Sequence, residues 1–180
     1  MARVHQVAKR RIGRRGAYAL RCQSCGGEIE IGEPYKWFKM KQARGGIKKC
    51  YHPDCPIPPS HRTTSRLGEI WDAQAALDFY SAEDVDALQA LLSDLADAVQ
   101  SVADQYRGSV TSMEEGFGHR TGQADELEAR AEALEGWADE LRDWEPDADE
   151  PGADADEDER EQWLEEIRSE ASSAAEECPV

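Results

Sequence analysis

Four cysteines and a histidine near the start of the chain are spaced as metal ligands often are. Cys22 and Cys25 form a CxxC pair, and His52 and Cys55 form an HxxC pair later in the sequence. A tetrahedral Zn²⁺ ion takes four sulfur or nitrogen ligands, and two close pairs held by a hairpin can supply them. The segment 22–55 is too short to bury a large core, so a metal would supply much of its folding free energy. The spacing therefore predicts a zinc site.

The fourth ligand of this predicted site has two candidates. Cys50 would complete a four-cysteine site with a longer final spacing, whereas His52 would complete a Cys₃His site with a spacer of two residues. The short spacer closes one knuckle around one ion and favours His52. The alternative without metal is that the reduced cysteines pack as small apolar side chains.

The sequence between the two pairs predicts short strands joined by turns. Residues 28–31 alternate acidic and apolar side chains, residues 35–40 are aromatic and β-prone, and the glycines at 45–46 favour a turn. Successive side chains of a strand point to opposite faces, so Phe38 and Trp37 lie on different faces. Only one of these two rings is therefore expected to belong to the core.

Charge divides the chain into two contrasting parts. Residues 1–67 carry 15 basic and 4 acidic side chains, a net charge of +11, whereas residues 68–180 carry 6 basic and 34 acidic ones, a net charge of −28. Such asymmetry indicates two modules with different partners. With a mean hydropathy of −0.75 and 180 residues, the chain cannot form a large catalytic domain. No apolar run approaches the roughly 20 residues that span a bilayer, so we expect no membrane partner.

The N-terminus and the remaining reactive residues argue for a non-enzymatic protein inside the cell. The first residues are basic but lack the apolar segment of a secretory signal, which predicts a soluble cytoplasmic protein. His5, His61 and His119 have no evident nucleophile beside them. Cys178 stands next to acidic residues, which disfavour its thiolate. We therefore expect no catalytic residues and no enzymatic activity.

The second half of the chain predicts helices that pair with one another. Apolar residues recur at alternating steps of three and four, as in a coiled coil, at Val85, Leu88, Leu92, Leu95, Val99, Val102 and Tyr106. A glycine-rich bend at 116–118 separates this stripe from a second one over 127–141. Two stripes joined by a bend predict an antiparallel helical hairpin.

The sequence therefore predicts an α+β fold with a small β-rich zinc finger, a long coiled-coil-like helical hairpin and a disordered acidic linker. The predicted segments are a basic arm at 1–21, the zinc finger at 22–55, a proline-rich linker at 56–62, the helical hairpin region at 63–144, the disordered acidic linker at 145–161 and a short C-terminal helix at 162–176.

Basic side chains interleaved with aromatic rings make the first 67 residues a candidate nucleic-acid surface, because cations contact phosphates and rings stack on bases. The candidate residues are Arg14, Arg15, Arg21, Lys36, Lys39, Lys41, Arg44, Lys48 and Lys49. DNA is the favoured partner, and the acidic helical region is expected to associate with itself or with another protein. The alternative function is a protein–protein adaptor with purely structural zinc and no nucleic-acid binding.

A family resemblance covers about residues 14–56. The run Cys22-x-x-Cys25-Gly-Gly-Glu-Ile-Glu-Ile-Gly-Glu, followed by Cys-Tyr-His52-x-x-Cys55, resembles the poly(ADP-ribose) polymerase-type zinc finger. The resemblance implies Cys22, Cys25, His52 and Cys55 as ligands, and binding to DNA ends, nicks or single strands. The insert between the two pairs is shorter here than in eukaryotic members, so no base-stacking loop is assigned. The 180 residues contain no ADP-ribosyltransferase domain.

The layout of the whole chain also resembles small proteins of bacteriophages and actinobacteria. In those proteins a similar finger precedes a Thr-Thr-Ser-Arg/Lys-Leu segment and a helical pair with Gly-Phe-Gly and a later tryptophan. Residues 63–67, residues 116–118 and Trp137 match that arrangement. A phage origin would place the protein in the cytoplasm of the host cell, and the resemblance implies no particular activity.

Overall fold

A computed structural model describes residues 4–10, 20–39, 48–152 and 154–180. The chain forms two compact units, Met1–Gly68 and Glu69–Val180, which we call unit 1 and unit 2. Small antiparallel sheets in unit 1 and long helices in unit 2 give the α+β fold that the sequence predicted.

The described residues of unit 1 form two small antiparallel sheets. Strands β1 (His5–Val7), β4 (Tyr35–Lys39) and β5 (Lys48–Tyr51) form a three-stranded sheet in the order β1-β4-β5. Strands β2 (Leu20–Arg21) and β3 (Glu28–Ile29) form a two-stranded sheet. The short strands that the sequence predicted between the two ligand pairs are therefore present.

The predicted basic arm at 1–21 is partly built into these sheets, which is a difference from the expected boundary. His5 pairs with Trp37 across β1 and β4, and Leu20 pairs with Ile29 across β2 and β3. Arg10 is buried, and its guanidinium donates a hydrogen bond to the carbonyl oxygen of Ile29. A buried guanidinium needs such partners, so Arg10 is a structural residue of unit 1.

Two stacked aromatic rings lie in the core of unit 1. The rings of Phe38 and Tyr51 are stacked with centroids 5.8 Å apart, and both side chains are fully buried with Ile29. Trp37, on the opposite face of β4, is only half-buried. The expectation that only one of the two neighbouring rings belongs to the core is confirmed.

The predicted linker at 56–62 belongs to unit 1, because it packs against the finger. It contains a 3-10 helix, Pro59–Arg62, and the Tyr51 hydroxyl is hydrogen-bonded to His61 Nδ1 at 2.9 Å. A Cβ atom at Gly68 would lie 2.6 Å from Cα of Ser60, so only glycine allows this approach. The boundary between the units therefore falls after this segment.

The described residues that follow include four α-helices and a second 3-10 helix. These are α1 (Leu67–Ala76), the 3-10 helix Phe79–Ser81, α2 (Val85–Phe117), α3 (Gly122–Arg142) and α4 (Glu157–Glu176). The side chain of Asp84 accepts the Ala87 N–H and so caps α2, and Thr121 caps α3 in the same way. None of the helices among the described residues is long and apolar enough to cross a membrane.

Ion pairs connect helices α2 and α3. Arg142 at the end of α3 pairs with Asp97 at 3.2 Å, while Arg107, further along α2, pairs with Glu135. Six of the seven predicted stripe positions in α2 are buried within the single chain, and Val85 at the start is half-buried. The apolar stripe is therefore covered by contacts inside unit 2.

Helix α4 is longer than the predicted helix at 162–176. It begins at Glu157, inside the segment 145–161 that was predicted as a disordered linker. Asp156 and Glu159 form a capping box, and the three acidic residues of the first turn face the positive end of the helix dipole. The acidic run therefore starts a helix at 157 instead of keeping that part of the chain unstructured.

Candidate metal centre

A tight turn holds the CxxC pair between β2 and β3. The Cys22 N–H donates to the Gly27 carbonyl at 2.8 Å, and the Gly26 N–H donates to the Cys22 carbonyl at 3.0 Å. Gly26 has φ of +72°, a left-handed conformation that glycine adopts without steric cost. This turn directs both cysteines of the pair toward the same point.

The HxxC pair follows directly after β5. The Cys55 N–H donates to the His52 carbonyl at 3.3 Å, which closes the second turn. The Gln23 N–H donates to the Cys50 carbonyl at 2.9 Å and so joins the turn of the CxxC pair to strand β5. Strand β5 therefore places the HxxC pair beside the CxxC pair, as the β-hairpin predicted between the two ligand pairs requires.

Four side chains converge into what we call the Cys₃His cluster, namely Cys22, Cys25, His52 and Cys55. Their ligand atoms all lie within 4.8 Å of one another, so the four residues are close enough to coordinate one metal ion. His52 Nδ1 lies 3.3 Å from Cys25 Sγ and 3.8 Å from Cys55 Sγ. The geometry matches the ligand set that the sequence favoured.

The orientation of the His52 ring identifies its ligand atom. Its Nδ1 faces the sulfurs, and its Nε2–H lies in position to donate to the Glu28 carbonyl oxygen at 3.3 Å. Metal-bound histidines usually donate their other ring N–H to a carbonyl or carboxylate, which fixes the tautomer and the ring plane. The backbone of β3 therefore orients Nδ1 toward a metal.

Cys50, the alternative fourth ligand, lies outside this cluster. It pairs with Trp37 across β4 and β5, is 4% exposed and belongs to the apolar core of unit 1. Burial raises the pKa of its thiol, which disfavours the thiolate that a metal requires. Cys50 is thus a core residue, and the choice between it and His52 falls on His52.

The electrostatics of the cluster favour a cation at its centre. Burial opposes the thiolate of Cys22, but backbone N–H groups led by that of Cys25 outweigh it and lower its pKa to about 6. Burial and the neighbouring sulfurs of Cys22 and Cys25 raise the pKa of Cys55 to about 11. Three thiolates at this spacing repel one another, and a divalent cation would offset that repulsion.

The donor set suits zinc in a structural role. Three sulfurs and one imidazole nitrogen form a borderline-soft tetrahedral set that structural Zn²⁺ sites use. Catalytic zinc sites keep one position open for water, whereas the Cys₃His cluster supplies all four ligands. The arrangement can hold a metal that cross-links the two halves of unit 1.

Comparisons with protein-family models, curated proteins and solved structures found no match to this chain. The resemblance to the poly(ADP-ribose) polymerase-type finger therefore stays a prediction. The four side chains that it implied as ligands are the four of the Cys₃His cluster.

The structure describes five of the nine residues predicted to bind nucleic acid. Arg14, Arg15, Lys41 and Arg44 lie outside the described residues. Arg21, Lys39 and Lys48 are exposed, and Lys49 is half-buried. Lys36 Nζ donates to the Pro53 carbonyl at 2.8 Å, so this side chain supports the loop between His52 and Cys55.

One face of the three-stranded sheet brings cations and rings together. Lys48 Nζ lies 4.5 Å from the centroid of the Trp37 ring and 5.2 Å from that of Tyr35. The His5 ring stacks on Trp37 with centroids 4.4 Å apart and an interplanar angle of 16°. Sequence reasoning missed the contribution of His5, because only the pairing of β1 with β4 brings it there.

Replacing Gly26 with alanine should weaken unit 1 without removing a ligand. The left-handed backbone at this position costs about 1–2 kcal/mol for a residue with a Cβ atom, so we expect the zinc-loaded protein to lose about that much stability in unit 1. Chemical denaturation followed by signals of unit 1 measures the loss.

The matched control for this substitution is Gly136→Ala. Gly136 lies within α3 and nothing surrounds its Cβ position within 4 Å. Alanine there should stabilise unit 2 by up to about 1 kcal/mol. Equal stability of the Gly26→Ala variant and the parent protein would contradict the role of the turn.

Proposed function

We propose that this protein is a non-catalytic zinc-binding protein whose N-terminal unit contacts DNA. The observation that carries the proposal is the convergence of three thiols and the Nδ1 atom of His52 within 4.8 Å. A closed four-ligand site of this kind stabilises a small fold and leaves no open position for a substrate. Zinc would thus make unit 1 rigid enough to present a binding surface.

The face of the three-stranded sheet that carries Lys39, Lys48, Tyr35 and Trp37 supports DNA as the partner of unit 1. Lys39 and Lys48 are exposed there, and the half-buried rings of Tyr35 and Trp37 lie beside them. Lysines beside aromatic rings suit single-stranded DNA, whose phosphates and unstacked bases are both accessible. The net charge of +11 over residues 1–67 would attract any polyanion to this unit.

The acidic helices would serve association and not DNA contact. Residues 68–180 carry a net charge of −28, which repels phosphates. We propose that α2 and α3 form the helical hairpin predicted from the apolar stripes, and that each stripe is buried within the same chain. Partners would then bind the polar surface of unit 2.

Metal analysis of the purified protein tests the first part of the proposal. We expect one zinc per chain, released when a strong chelator competes for it. Cobalt substituted for zinc should show the absorption of a tetrahedral thiolate site. A protein that folds with no bound metal would overturn the proposal.

Neutralising Lys39 and Lys48 together should weaken DNA binding. Each phosphate contact on single-stranded DNA contributes about 0.7 to the slope of log affinity against log salt. The Lys39→Gln/Lys48→Gln double variant should therefore lose about 1.4 from that slope and bind more weakly at every salt concentration. Fluorescence anisotropy of a labelled single-stranded oligonucleotide and of a nicked duplex measures both quantities.

The control for this experiment is Arg130→Gln. Arg130 is exposed on α3 in unit 2, and its replacement should leave the slope unchanged. If the parent protein does not bind DNA at about 50 mM salt, where phosphate contacts are strong, the DNA part of the proposal fails. The adaptor function with structural zinc would then be the better account.

A further inference from the structure

Unit 2 has an open groove with a volume of about 1030 Å³. One wall consists of α1 and the 3-10 helix that follows it, and the other is α4. Aromatic rings line the first wall, where Trp71 is 38% exposed and Tyr80 is 87% exposed. Exposed aromatic rings grouped along one groove mark a candidate interaction site, unlike single apolar residues scattered over a surface.

Hydrogen bonds between the two walls hold the groove in shape. Gln74 Nε2 of α1 donates to the Ala175 carbonyl of α4 at 2.6 Å. The guanidinium of Arg168 on α4 donates twice to the Ala82 carbonyl, which follows the 3-10 helix. A groove that is already formed lowers the ordering cost of binding.

Acidic side chains on both walls of the groove favour a cationic partner. Asp78 lines the first wall, Glu165 and Glu176 line the second, and the guanidinium of Arg168 is engaged by the Ala82 carbonyl. Residues 68–180, which include both walls of the groove, carry 34 acidic and 6 basic side chains. Such a field attracts cationic partners and repels nucleic acid.

We propose that this groove binds an arginine-containing segment of a partner protein. A guanidinium is planar, stacks on aromatic faces and pairs with carboxylates through two hydrogen bonds. Trp71 and Tyr80 would supply the faces, and Asp78, Glu165 and Glu176 the carboxylates. The apolar edges of the groove, such as Leu77, would contact the aliphatic part of the segment.

Titration of the full-length, zinc-loaded protein with a short peptide that alternates arginine and leucine tests this proposal. We expect saturable binding at one site, with chemical-shift changes at the indole N–H of Trp71 and at residues of α4. The same peptide with citrulline in place of arginine keeps the shape and removes the charge, so it should bind far more weakly.

Two groove variants and one control locate the binding. Tyr80→Ala removes an exposed ring and should weaken binding about two- to five-fold, the range of an exposed cation–π contact. The Asp78→Asn/Glu165→Gln double variant should weaken it by about five-fold or more. Glu132→Gln/Glu140→Gln removes two exposed acidic charges from α3, outside the groove, and should leave binding within two-fold of the parent.

Three outcomes would overturn the proposal. Equal losses in the groove and control variants would mean that the peptide binds only the overall charge. Equal affinity for the citrulline peptide would remove the argument for arginine. Concentration-dependent dimerisation that Tyr80→Ala abolishes would identify a second copy of the chain as the occupant.

Discussion

Replacing Cys25 with serine is expected to release the metal and unfold unit 1, while α2, α3 and α4 stay folded. The hydroxyl of serine does not ionise to replace the thiolate ligand. Structural zinc contributes about 10–16 kcal/mol of apparent binding free energy, which exceeds the stability of a small fold. Cys25 is exposed, so the substitution removes a ligand without leaving a cavity in the core.

The measurement combines metal content with a residue-resolved spectrum. Native mass spectrometry should show loss of zinc, and amide resonances of residues 20–39 and 48–68 should collapse to unfolded positions. The helical circular dichroism of unit 2 should remain. Cys178→Ser, the same chemical change outside the Cys₃His cluster, should alter none of these signals.

Two results would contradict this expectation. Retention of zinc by Cys25→Ser with native affinity would mean that the ligand set is wrong. Loss of the unit 2 signal together with that of unit 1 would mean that the two units do not fold independently.

Replacing Leu95 with alanine should destabilise unit 2 by about 2–5 kcal/mol, because it leaves a cavity in a closely packed core. Leu95 lies in the middle of α2 and is fully buried. Thermal unfolding followed by helical circular dichroism should shift to a lower temperature. The zinc content and the amide resonances of unit 1 should not change.

Asp94→Ala is the control for the cavity. Asp94 is exposed and is the neighbour of Leu95 in α2, so alanine there changes the helix surface and leaves the core intact. We expect a change of less than about 0.5 kcal/mol. A Leu95→Ala variant as stable as Asp94→Ala would argue against the packing of α2 and α3.

The candidate metal centre was predictable because its ligands form local pairs. The spacing of Cys22 and Cys25, and of His52 and Cys55, constrains each half regardless of the rest of the fold. The stripe of α2 was predictable for a similar reason, since helical periodicity is a local property.

Features that depend on contacts distant in sequence were not predictable. The pairing of His5 with Trp37, and the donation of the Arg10 guanidinium to the Ile29 carbonyl, join residues of the predicted basic arm to the finger. The sequence marks these residues only as basic or polar. The early start of α4 was missed because a run of acidic residues at 157–159 was interpreted as repulsion and not as a favourable first helical turn.

The joining of two ligand pairs also affects the unfolded chain. A metal shared by Cys25 and His52 would close a loop of 28 residues, counting both ends. If the metal acts as a cross-link, it would reduce the entropy of the unfolded chain in the way a disulfide does, by about 3–4 kcal/mol for this length. Closure entropy grows only with the logarithm of loop length, at about 0.6 kcal/mol for each doubling. A longer chain between Cys25 and His52 would therefore lose little of this stabilisation, so residues inserted between the two ligand pairs would add new side chains to unit 1 at a small cost in closure entropy.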